Sequence, residues 1–269
     1  MAAGHHDDPM SHVLDHSTLE VPGFGTEIPL PNIFGFQLTR FMVMELLAAG
    51  LLCLIMVPLA RHVARNKVTK GPLLNAFEAV VLFIRDRVAR PAIGGHGADD
   101  YLPFLLTLFF FILFCNLLGM IPGGASATGD INVTATLALI TFGVVLFTGI
   151  RAMGPIGFWV GLVPKIDLPR PYLVVLWPLM FVIEVLGLFI RHMVLSVRLF
   201  ANMMAGHMVL AVILGFIAQA AGLITFLVTP ASILGVTALS LLELLVAFLQ
   251  AYIFTFLAAL FIGSAQHGH

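Results

Sequence analysis

The sequence predicts an all-α polytopic membrane protein with three upright spans, an amphipathic interfacial helix, and a long, strongly tilted two-helix hairpin. Composition is the first ground. Hydrophobic residues make up 60% of the 269-residue chain and charged residues only 10%, with a mean hydropathy of +1.05. Soluble domains carry roughly 25% charged residues. The second ground is the recurrence of apolar runs near the ~20 residues that cross a bilayer core. The third is a set of ionisable residues embedded at helical spacing in the most apolar third of the chain. The net charge of −1 gives no reason to expect a nucleic-acid partner; the partner that composition predicts is the lipid bilayer.

Residues 1–39 form a polar segment with several acids and no lysine or arginine. No basic start precedes an apolar core there, so no signal peptide is predicted. The His-rich ends, including His5, His6, His267 and His269, read as solvated tails, and no metal site is predicted. Residues 40–269 are expected to form a single membrane domain. Its first span covers about 40–60, and the basic loop Arg61, Arg65, Lys67 and Lys70 follows. Leu73, Phe77, Val80, Val81, Ile84 and Val88 then recur at three- and four-residue spacing opposite Asn75, Glu78 and Arg85. That pattern predicts an interfacial amphipathic helix over about 72–90. Further spans are expected at about 101–121 and 131–150. Pro155 to Val163 reads as a short re-entrant or interfacial piece. Cys53 and Cys115 read as small core residues.

Ten of the thirteen basic residues fall in loops 61–72, 85–91 and 151–170. The positive-inside rule puts those loops in the cytoplasm and the N-terminus outside. The last third holds two very long apolar stretches. Residues 172–218 as one helix would be roughly 70 Å long, against a hydrocarbon core of about 30 Å. Arg191-His192 is the polar spot within it, with no glycine or proline to make a turn. One tilted helix is therefore expected, with 231–262 as its antiparallel partner through Gly222 to Pro230.

On a helical wheel Glu184, Arg191 and Arg198 are seven apart and share a face. Asn202 lies one turn past Arg198. The small residues Gly187, Ala201 and Ala205 fall on the same side, where they allow a partner helix to approach closely. His207 faces the opposite way, toward Glu243 on the last helix; Gln250 shares the face of Glu243. A guanidinium cannot escape burial by losing its proton. Arg198 in hydrocarbon costs roughly 2.5–3.5 kcal/mol on insertion scales and marks a functional site. Glu184–Arg191 taken alone is equally well a structural pair. Asn116 either faces the polar track or bonds a neighbour.

The run Val197-Arg198-Leu199-Phe200-Ala201-Asn202-Met203-Met204-Ala205-Gly206 resembles the signature of subunit a of F-type rotary ATP synthases. Gln250-Ala251-Tyr252-Ile253-Phe254 is similar to that family's second signature. The resemblance implies a stator subunit beside a rotating ring of c subunits, joined by peripheral-stalk b subunits and the rest of the complex in a bacterial inner membrane. It implies two proton half-channels, with Arg198 separating them and Asn202, Glu184, His207, Glu243 and Gln250 on the proton route. His207 and Glu243 stand where many bacterial relatives carry Glu and His. Ala201 stands where glycine is common. No glycine loop with Lys-Ser/Thr is present, so no cofactor and no catalytic chemistry are expected in this chain. The competing expectation is a secondary ion transporter or channel with an Arg-centred site. Such folds often repeat internally, and no repeat is visible here.

Overall fold

A computed structural model describes residues 18–20, 27–30, 32–33, 36–65, 71–95, 97–121, 126–163, 170–219 and 225–267. The described residues are overwhelmingly helical. Helices α1 (Arg40–Arg65), α4 (Ala98–Gly119), α5 (Ile131–Met153), α7 (Arg170–Gln219) and α8 (Thr225–His267) each contain a stretch long and apolar enough to cross a membrane. The protein is an all-α polytopic membrane protein, to which the N-terminal segment adds two short antiparallel pairs. Thr18–Glu20 pairs antiparallel with Glu27–Pro29, and Asn32–Ile33 with Phe36–Gln37. Asn32 thus lies in a two-residue strand.

The expected helix over 72–90 is present as a continuous helical run whose winding changes partway. Pro72–Phe83 (α2) is followed by a π-helical turn, Ile84–Ala89, and then by Arg90–Ile93 (α3). The wider turn buries Ile84, Val88 and Ala89 while Asp86, Arg87 and Arg90 stay exposed. π-Helical turns of this kind occur mostly as single-turn bulges within α-helices. Arg85 Nε and Nη2 donate to Asp99 at 3.0 and 3.2 Å, and Arg90 pairs with Asp86 at 2.8 Å. The bond to Asp99, followed by its charge, raises the Arg85 pKa further, so this cation persists at any working pH. Lys67, Lys70, Lys165 and Asp167 of the basic loops lie outside the described residues.

Helix α7 is one unbroken helix of 50 residues. Arg191-His192 has no turn former, and the helix runs through it. The predicted start of the partner at 231 is corrected: α8 begins at Thr225, so Pro230 lies inside it rather than in the turn. A proline forfeits one i→i−4 bond, a cost that a 43-residue apolar helix absorbs. The residues between the two helices, 220–224, lie outside the described residues. Pro155–Gly161 forms a short helix, α6. Gly154 at φ +78° opens it, a conformation that glycine adopts without strain.

The chain folds as two compact units. One comprises Met1–Ile55, Phe111–Val133 and Arg198–Gln250; the other comprises Met56–Phe110, Thr134–Val197 and Ala251–His269. In the second unit, a Cβ on Gly149 would run into the Phe158 ring, which seats α6 on α5. A Cβ on Gly263 would run into the Ala92 carbonyl, so α8 and α3 touch backbone to backbone there. Cys115 is buried as expected. Cys53 is exposed because α1 carries most of its surface outward.

Candidate functional site

Helix α7 sorts its residues into two faces. His192, Leu195, Ser196, Leu199 and Met203 are buried, while Arg191, Val194, Val197, Arg198, Ala201 and Ala205 are exposed. The spacing of three and four follows the helical repeat. Arg198 therefore sits on the outward face, with Ala201 one turn and Ala205 two turns further along it. Among the described residues it makes no hydrogen bond or ion pair. Gly187 is half-buried, and a Cβ placed on it would meet Arg191 Nη2 at 3.9 Å.

In the unit formed by 198–250 and its partners, the C-terminal half of α7 lies against the first half of α8. Gly206 faces Glu243 so closely that a Cβ on Gly206 would run into Glu243 Oε1, and Gly235 faces Ile213 at 4.0 Å. Moving up α7 thus means moving down α8. A cavity of about 210 Å³ opens between the helices, lined by Asn202, Ala205, Gly206 and Glu243 among apolar residues.

His207 lies beside this cavity. Its Nδ1 is 2.9 Å from Met203 O on its own helix and 4.0 Å from Glu243 Oε1. Its Nε2 is 2.9 Å from Gly119 O at the end of α4. His207 and Glu243 thus approach each other from α7 and α8 without a hydrogen bond between them. Asn202 and Gln250 are half-buried and make no hydrogen bond among the described residues.

Asn116 is fully buried, which the sequence left open. It donates to Ala247 O at 3.3 Å and accepts from Thr128 Oγ1 at 2.6 Å. Ser126 joins Thr128 at 2.8 Å. Sequence reasoning missed Ser126 and Thr128, which read as ordinary loop residues. It also missed the carbonyls of Met203 and Gly119, because main-chain acceptors leave no mark in side-chain identity.

The other unit holds a separate polar pocket of about 60 Å³. Glu184, Arg191 and Ser264 line it beside Met153 and Phe158. Glu184 and Arg191 share this pocket but form no ion pair among the described residues. Thr134 is buried and accepts from Ser196 at 3.2 Å. No group of three metal-ligating side chains occurs among the described residues.

Residues 42–263 match the family described as ATP synthase A chain. The chain is 44% identical over 278 residues to the "ATP synthase subunit a" of Chloroherpeton thalassium, covering 97% of this chain and 80% of that relative. It is 43% identical over 264 residues to the "ATP synthase subunit a 2" of Chlorobaculum tepidum, covering 95% and 72%. It is also 39% identical over 302 residues to the "ATP synthase subunit a" of Anaeromyxobacter dehalogenans, covering 100% and 76%.

Proposed function

This chain belongs to the ATP synthase A chain family, and from that premise we propose how its own residues perform the family's task. It is the multi-pass membrane stator subunit that provides proton half-channels coupled to rotation of the c-subunit ring, and it carries no catalytic chemistry itself. It works with the ring, the b subunits and the rest of the complex. An autonomous transporter or channel does not fit this membership.

Arg198 is the fixed charge that separates the two half-channels. The observation that carries this reading is its place on the exposed face of α7, beside Ala201 and Ala205, without a partner among the described residues. A cation left unpaired in hydrocarbon needs an anion from elsewhere, and small neighbours let a second helix bring one close. The ring carboxyl is that anion. A fixed cation favours the charged form of a passing acid, so the acid releases its proton before it passes Arg198. The same charge repels a proton crossing directly between the half-channels. One charge moved through 100 mV is worth about 2.3 kcal/mol, so a leak dissipates the drive for rotation.

The remaining assignments follow from the two pockets. Asn202, His207 and Glu243 carry protons through one half-channel, with His207 suited to relay because an imidazole can accept a proton at one nitrogen and give one up at the other. Glu184 lines the other, beside Arg191. The facing of Gly206 with Glu243 and of Ile213 with Gly235 supports an antiparallel hairpin of α7 and α8. Continued along both helices, that register brings Gln250 level with Arg198. Gly187, Ala201 and Ala205 form the ring-facing stripe. The two long helices lie tilted in the inner membrane, α1, α4 and α5 stand upright, and the segment before Arg40 precedes the membrane domain 40–269. The basic loops support an outer N-terminus and a cytoplasmic C-terminus.

A single cysteine at Ala205 tests the face assignment in the assembled complex. Crosslinking to a cysteine on the outer helix of the ring is expected. Modification by lipid-soluble reagents with no ring crosslink rejects the assignment.

A further inference from the structure

We propose that Thr128, Asn116 and Ser126 are positioning residues for His207: they fix the Gly119 carbonyl so that it and Met203 O together hold an imidazole with an N–H on both nitrogens. The inference rests on the reading of His207 as a proton-carrying group.

Donor accounting is the first ground. Both ring nitrogens lie 2.9 Å from a main-chain carbonyl. A carbonyl only accepts, and a neutral imidazole has a single N–H. A ring that keeps both contacts therefore carries two N–H groups. Met203 O comes with the helix itself, one turn before His207. Gly119 O comes from another helix and has to be placed.

The placement is the second ground. Gly119 ends α4, where carbonyls run out of intrahelical donors. Met120 and Ile121 turn back onto Leu117 O at 3.2 Å and Leu118 O at 3.3 Å, so Gly119 O is left for His207. A Cβ on Gly119 would run into the Ser126 side chain, so the returning segment rests directly on this glycine. Thr128 gives its one proton to Asn116 Oδ1 at 2.6 Å. In the 2.8 Å contact Ser126 is therefore the donor and Thr128 the acceptor. Asn116 then donates to Ala247 O on α8. The chain Ser126 to Thr128 to Asn116 to α8 has one direction, and all three side chains are buried. Buried networks with every member satisfied are rigid.

The charged surroundings are sparse. Glu243 faces His207 from α8 at 4.0 Å. The end of α4 and the 126–129 segment bring carbonyl, amide and hydroxyl groups but no charge. Arg198 is nine residues back on α7. Asp130 follows the 126–129 segment and acts on Glu45 of α1; Arg40 opens α1. A proton passing from Nδ1 to Glu243 breaks an N–H bond and forms an O–H bond once the Glu243 side chain closes the 4.0 Å gap; Met203 O keeps the main-chain N–H of His207 as its helical donor. The Gly119 contact keeps the ring in place through that transfer.

Histidine labelled with ¹⁵N in the whole reconstituted complex tests this, with His207→Gln identifying the His207 signal. At neutral pH the parent is expected to show protons on both His207 nitrogens. Thr128→Val is expected to leave one nitrogen bare and to lower proton flux about fivefold. It is also expected to change the pH dependence of that flux. Thr128→Ser, which keeps the hydroxyl, behaves like the parent. A single N–H on His207 in the parent overturns the inference, whatever the variants do. So does a Thr128→Val complex with parental flux and pH profile. If that happens while His207→Gln still lowers proton flux about tenfold, only this inference fails. If His207→Gln keeps the parental flux, the underlying reading fails as well.

Discussion

His192 and His207 sit on the same helix and begin with the same local bond. Each sets Nδ1 2.9 Å from the carbonyl four residues before it. Their Nε2 atoms meet different worlds. His192 is buried between Phe142 and Phe261, with ring centroids 5.0 and 4.9 Å away. Its Nε2 finds no hydrogen-bond partner among the described residues. His207 has Gly119 O on one side and a carboxylate on the other. A lone pair among aromatic rings has nowhere to send or receive a proton, whereas an N–H beside a carboxylate has a route. On the proposed reading, one helix uses histidine once to fill a core and once to move protons, and the neighbours decide which.

Replacement separates the two. The largest effect is expected for His207→Gln or Glu243→Gln: each lowers proton flux through the assembled complex at least about tenfold, and Glu243→Gln also shifts its pH dependence. Flux and pH profile like the parent's in both variants would erase the distinction. The small effect is expected for His192→Phe, which keeps the volume of the aromatic slot. Flux within about twofold of the parent and normal assembly are expected. A loss as large as that of His207→Gln puts His192 on the proton route and breaks the comparison.

Much of this was legible in the sequence, and the limits have physical causes. The five apolar helices follow from run length, and the unbroken α7 from the lack of a turn former at Arg191-His192. The early start of α8 was not legible, because Pro230 is a strong turn signal that a long apolar helix overrides. Nor was the π-helical turn at Ile84–Ala89, since the wheel pattern of 72–90 fits an ordinary helix equally well. At the site, Arg198, His207 and Glu243 stood out as ionisable residues in apolar surroundings. Asn116 stood out too, but its role depends on Thr128 and Ser126, which come from a loop. The wheel placed Arg198 and His207 on different faces, but it gave no means of telling His207 from His192. That difference is made by Gly119, Glu243, Phe142 and Phe261, all remote in sequence.

The central claim is that Arg198, on the exposed face of α7, separates two proton routes. Arg198→Ala in the intact complex, measured as ATP-driven proton pumping into vesicles, tests it most directly. The variant is expected to assemble with the ring and to pump no protons. Coupled pumping at the parental rate would contradict the account.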